Sequence, residues 1–165
     1  MVGRGCFLRT VVLVGRTDEA SLLIHAGTGR VWAAFVDPRA WEDWLPPGSM
    51  TGQVEHFDPR PGGTYRMVLT YRDPRDASGK STADTDVVEG RFVQVVPDER
   101  IEQAVDFVSD DPDVAGTMTM TWSLTPRDGS TVVTFRADDV PPGISAEDHI
   151  AGLTASLDNL AAYVA

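Results

Sequence analysis

Hydrophobic and polar residues alternate strictly along one stretch of the chain. Met118, Met120, Trp122 and Leu124 are interleaved with Thr117, Thr119, Thr121 and Ser123. Such period-2 alternation puts the apolar set on one face of a β-strand and the hydroxyls on the other. Tyr65, Met67, Leu69 and Tyr71 make a second row of this kind, and Ile101, Gln103, Val105 and Phe107 a third. Strands are predicted over Met50 to Phe57, Thr64 to Arg72, Thr85 to Val96, Ile101 to Val108, Gly116 to Thr125 and Thr131 to Ala137. The connections are short and rich in Pro, Gly and Asp, as in Pro59-Arg60-Pro61-Gly62-Gly63 and Pro126-Arg127-Asp128-Gly129, so neighbouring strands run antiparallel.

Helical spacing occurs at two places. Before the six strands, a first strand is predicted from Glu19 to Ala26, with Leu22, Leu23 and Ile24 as its apolar run, and Thr28 is expected to cap a short helix over Arg30 to Val36. Asp37-Pro38 breaks that helix ahead of a second one through Trp41 and Trp44, which Pro46-Pro47-Gly48 ends. At the far end, Ser145 is a candidate N-cap with Glu147 and Asp148 in the first turn. Ile150, Leu153, Leu157, Leu160 and Val164 then recur every three or four residues, predicting a helix of about five turns with one apolar stripe facing the sheet.

The fold class is therefore α+β: a curved antiparallel sheet of six or seven strands around a long C-terminal helix, with two short helices after the first strand. At 165 residues this is one domain, assigned to 19–165. Residues 1–18 form an N-terminal extension, either an added edge strand or, ranked higher, a remnant of an upstream start codon; its apolar run Val11 to Val14 is too short for a signal core or a membrane span.

Charge narrows the partners. The 14 Lys and Arg against 25 Asp and Glu give a net charge of -11, which opposes binding to nucleic acid or to an anionic membrane. Cys6 is the only cysteine, so no intrachain disulfide forms, and a cytoplasmic location is expected. A homodimer is left open.

Candidate chemistry is sparse. His25, His56 and His149 lack convergent metal-ligand spacing, and Asp110, Asp111 and Asp113 lack the loop spacing of a calcium site, so no metal and no cofactor are expected. Gly27-Thr28-Gly29 is too short for a dinucleotide fingerprint, and no Gly-x-Ser-x-Gly elbow is present. Asp58 to Gly63 reads as a turn pinned by Asp58 and Arg60, with glycines supplying positive φ. The inward methionines and aromatics Met67, Phe92, Phe107, Met118, Met120 and Trp122 suit a pocket that adapts to an apolar guest. His56, Tyr65 and Gln103 are its candidate polar tips, with Tyr71 as a further one; Trp44, Leu153 and Leu157 complete the candidate ligand-binding set.

The element order resembles the START-like superfamily, which shares the helix-grip fold with the birch-pollen allergen. The local motifs are similar to its branch homologous to the activator of heat-shock protein 90 ATPase: Val31-Trp32, the aromatics Trp41 and Trp44, the turn Asp58-Pro59-Arg60-Pro61-Gly62-Gly63, Gly90-Arg91-Phe92 running to Val96-Pro97-Asp98-Glu99-Arg100-Ile101, and Ser130 to Phe135. The resemblance implies the helix-grip fold over residues 19–165 and an internal cavity for a small hydrophobic molecule. Carrier, sequestering and sensing roles fit it, as do a cyclase- or aromatase-like enzyme working by pocket acid–base groups and a chaperone cofactor. In the family a Gly-Trp pair often stands where this chain has Gly152-Leu153, so Leu153 is expected to enlarge the cavity.

Overall fold

A computed structural model describes residues 15–73, 75, 84–107 and 110–165. The chain folds in the order β1 (Arg16–Ile24), α1 (Thr28–Val36), α2 (Pro38–Trp44), β2 (Met50–Phe57), β3 (Thr64–Tyr71), β4 (Thr85–Val96), β5 (Arg100–Phe107), β6 (Gly116–Arg127), β7 (Ser130–Val140) and α3 (Ala146–Val164). The seven strands form one antiparallel sheet in the spatial order β1-β7-β6-β5-β4-β3-β2. It is the expected α+β fold, a curved open sheet holding the C-terminal helix on its concave face. Strand β1 starts at Arg16, so the folded domain takes in part of the predicted extension; residues 1–14 lie outside the described residues.

Local chemistry explains most boundaries. Asp37 caps α2 by accepting from the Arg39 N–H at 2.9 Å, with Pro38 at the first helical position, where its missing N–H costs nothing. Thr28 is not a cap: it lies inside α1, and Gly27 takes the cap position without a side-chain bond. Asp128 and Gly129, at φ of 50° and 79°, turn β6 into β7 with the backbone twist that a two-residue hairpin requires. In the Asp58–Gly63 turn, Gly62 has φ of 82°, and a Cβ on Gly63 would lie 2.0 Å from the Asp58 carbonyl oxygen. Arg60 Nε donates to Asp58 at 2.8 Å, and Phe92 holds the turn to β4 through paired backbone bonds to Gly62 and Gly63, both 2.8 Å. The turn is structural.

Besides a register shift between Arg16 and Asp18 where β1 meets β7, two β-bulges nearer the middle of the chain reset which residues face inward. The β2–β3 register shifts between Val54 and His56, and the β4–β5 register between Phe92 and Gln94. Each inserts one residue and reverses the inside–outside phase beyond it. Past the first bulge Phe57 turns inward and His56 outward.

The helix stripe differs from expectation in its first turn. Leu153, Leu157, Leu160 and Val164 are buried, but Ile150 is 39 % exposed. Its neighbour His149 takes the sheet-facing place, four residues before Leu153, and its Nδ1 lies 2.7 Å from Oδ2 of Asp18 on β1. Arg16 donates to both Asp18 oxygens, at 3.1 and 3.0 Å. Burial alone would raise the pKa of Asp18, which is 3 % exposed, but the hydrogen bonds from His149 and Arg16 outweigh it and hold the carboxyl below its ordinary range. A carboxyl depressed in the folded state stabilises it above the unfolded pKa of about 3.9 and loses that contribution as pH falls through the folded value. In urea unfolding at pH 7, Asp18→Asn is expected to cost about 1–2 kcal/mol. The difference from wild type should shrink as pH drops below about 4; a constant difference down to pH 3 would refute the account.

Candidate functional site

The site begins with the helix pair. Buried indoles need a partner for their N–H, and the last carbonyls of a helix lack one. Trp41 Nε1 donates to the Phe35 carbonyl at 3.0 Å and Trp44 Nε1 to the Ala34 carbonyl at 2.9 Å, which answers both needs and locks α2 across the end of α1. The rings continue into the concave face of the sheet. Trp44 meets Phe35 and Trp122 edge-on at 5.5 and 5.6 Å, and Trp122 stacks on Phe135 at 3.5 Å. Trp41 packs edge-on against Phe57 and Tyr65 at 4.8 and 5.2 Å.

Above this aromatic floor the interior is not filled. A cavity of about 530 Å³ is bounded below by Phe35, Trp41, Trp44, Trp122 and Phe135. One wall is Tyr65, Met67 and Leu69 of β3 with Val87, Val88 and Glu89 of β4. The other is Gln103, Val105, Asp106 and Phe107 of β5 with Met118 and Met120 of β6. Leu45, Pro47 and Ser156 complete it from the helical side. The buried apolar residues outside the main core form two separate groups, Met50, Met67 and Leu69 on one side and Met118, Ala137 and Val140 on the other.

The sheet itself parts beside the cavity. The β4–β5 ladder runs only from Arg91–Ala104 to Val96–Arg100. Beyond it β4 keeps its pairing to β3 as far as Thr85, and β5 its pairing to β6 as far as Phe107. The diverging segments Val87–Glu89 and Val105–Phe107 are those that line the cavity. On the outer face Arg91 bonds Asp106 across the start of this divergence at 2.5 Å, and Thr117 donates to the same carboxylate at 2.6 Å.

Of the candidate ligand-binding residues, Trp44, Tyr65, Met67, Gln103, Phe107, Met118, Met120 and Trp122 meet at the cavity. Four do not. His56 is exposed on the outer face, in register with Arg66, because the bulge turns it out. Phe92 lies in the aromatic cluster, its ring 5.2 Å from Tyr65 and 5.7 Å from Phe57. Leu153 and Leu157 are buried in the main core, and Ser156 is the residue of α3 that borders the cavity. Sequence reasoning missed Phe35, Trp41, Leu69, Val88 and Phe135 as lining; Trp41 and Phe135 were legible only as aromatics in the right elements. Among the described residues no group of three His, Cys, Asp or Glu is placed to hold a metal ion, and no helix is long and apolar enough to cross a membrane.

The chain belongs to the family whose model is described as activator of Hsp90 ATPase homolog 1-like protein, which matches residues 25–165. A crystal structure of a Chromobacterium violaceum protein is 30 % identical, with a TM-score of 0.74, over 90 % of this chain and 96 % of that one. The solution structure of an Arthrobacter aurescens protein (19 % identity, TM-score 0.73, 94 % and 92 % covered) and a crystal structure from Mycobacterium smegmatis (18 %, 0.67, 90 % and 95 %) share the fold. No curated protein matches the chain significantly.

Leu153 lies in the main core and is absent from the cavity lining, so the room expected beside it is not part of the cavity. A ring at this 2 %-exposed position meets packed core, so Leu153→Trp should lower stability by about 1–3 kcal/mol or more. Chemical denaturation measures it, and an unchanged midpoint would mean that Leu153 borders free space after all.

Proposed function

We propose that this protein binds a small, largely apolar molecule in the cavity between sheet and helices, as a carrier, a sequestering protein or a sensor. The observation that supports it is the cavity itself: about 530 Å³, within the size range of small-molecule sites, with an aromatic floor and methionines on both walls. Methionine side chains are unbranched and polarisable, so Met67, Met118 and Met120 can reshape around different guests at small cost. The single cysteine and acidic balance fit a cytoplasmic setting.

The acid–base alternative has less support. It needs a titratable group aimed at the guest, whereas His56 faces outward and burial pushes the Tyr65 phenol above its ordinary range, keeping it protonated.

Trp44 and Trp122 line the cavity, so occupancy should be visible in their emission. Titration with the neutral probe N-phenylnaphthylamine is expected to quench tryptophan fluorescence saturably at one site per chain. Ser156→Phe, which points a ring into the cavity from α3, should abolish the signal while the melting temperature holds. Quenching that never saturates, or that survives Ser156→Phe in a folded protein, would overturn the proposal.

A further inference from the structure

Two polar groups of the cavity flank β4 from opposite sides at successive inward positions. Tyr65 on β3 stands opposite Gly90 of β4, and Gln103 on β5 stands opposite Phe92, two residues along the same strand. A Cβ on Gly90 would lie 2.5 Å from Tyr65 Oη and 2.7 Å from the Ala104 carbonyl oxygen. The phenol thus reaches across β4 through the space that any other residue's side chain would fill, toward the strand that carries Gln103. Tyr65 and Gln103 are each 4 % exposed. Neither side chain has a hydrogen-bond partner among the described residues, and neither is sealed from the cavity. Their polar atoms therefore face the open space of the cavity, where water completes them in the absence of a guest and a guest's polar head can take that place.

The charge of that partner is limited by the rest of the lining. Among the described lining residues only Glu89 and Asp106 are ionic, and both are engaged outside the cavity, Glu89 by Arg66 at 2.7 Å and Asp106 by Arg91. A carboxylate or phosphate in the cavity would meet no cation from these residues, and an unpaired buried ion is strongly disfavoured.

We infer, resting on the binding reading above, that the cavity takes an uncharged ligand with a hydrogen-bonding head of the amide type. Its carbonyl oxygen accepts from Tyr65 Oη–H and the Gln103 NH₂, its N–H donates to the Gln103 carbonyl, and its apolar body lies against Met118, Met120 and Trp122. The phenol is protonated at neutral pH, as an ordinary tyrosine is, and burial only raises its pKa further. Gln103 supplies one acceptor and two donor hydrogens, the complement of a carboxamide.

Three probes of one shape test this: naphthamide, naphthoate and ethylnaphthalene, titrated at pH 7 by tryptophan quenching. Naphthamide should bind about tenfold tighter than ethylnaphthalene, and naphthoate weakest of the three. Tyr65→Phe and Gln103→Leu should each reduce the naphthamide affinity about threefold to tenfold while leaving ethylnaphthalene unchanged. Tyr65→Phe removes a single oxygen, so it decides the matter alone if Gln103→Leu fails to fold. If ethylnaphthalene binds but naphthamide gains nothing, or its gain survives both variants, the polar head is refuted and the apolar cavity stands. Naphthoate as the tightest probe refutes it too. If none of the three binds, the cavity reading falls and this inference with it.

Discussion

Two indole hydrogen bonds organise the interior. Trp41 and Trp44 reach back to the carbonyls of Phe35 and Ala34, and without them the end of α1 would be buried with its acceptors unpaired. Because each donor is part of a large ring, satisfying the backbone also fixes two indoles against the concave sheet. Trp44 then sets the place of Trp122, and Trp41 that of Tyr65. The orientation of Tyr65 carries its hydroxyl over Gly90. The floor of the cavity and one of its polar groups thus descend from the same constraint on a helix terminus.

The sheet supplies the other half of the arrangement. Seven strands curled around one helix enclose more space than the inward side chains of α3 fill, and the surplus is left where β4 and β5 diverge. The outer-face pairs there, Arg66 with Glu55 and Glu89 and Arg91 with Asp106, are solvent-exposed, so water screens them and they add little to stability. Their effect is positional: they keep the acidic side chains that border the divergence turned away from the interior.

Much of this was readable from the chain because periodicity is a local property. The inward rows on β3, β5 and β6 follow from alternation that nothing interrupts. What was not readable depends on distant partners. The bulge at Glu55 carries no Gly or Pro to announce it, so His56 was misplaced by one residue of phase. Ile150 and His149 compete for the sheet-facing place in the first turn of α3, and Asp18, far away on β1, decides for the histidine. Met67 and Leu157 are equally apolar in sequence; only the packing separates a wall of the cavity from a side chain of the core. Gly90 was read as part of a family motif, whereas its use is the room it leaves for a phenol.

The bulges also bear on whether the inward position of Gln103 is incidental. On β2 the inserted residue puts Phe57 inside and His56 outside; on β4 a second one puts Val95 inside, opposite Ile101, and Gln94 outside, opposite Glu102. Twice a shift of register removes a polar side chain from the interior and replaces it with an apolar one, which is the direction that desolvation favours. Strand β5 has no such interruption: its pairing with β6 is continuous from Arg100 to Phe107 and keeps Gln103 pointing inward opposite Met120. Relatives sharing only the fold say nothing about the guest, since a fold constrains the frame and the lining selects the ligand. In this chain the lining is mostly apolar, which leaves the amide of Gln103 and the hydroxyl of Tyr65, both open to the cavity, as the features that distinguish one guest from another.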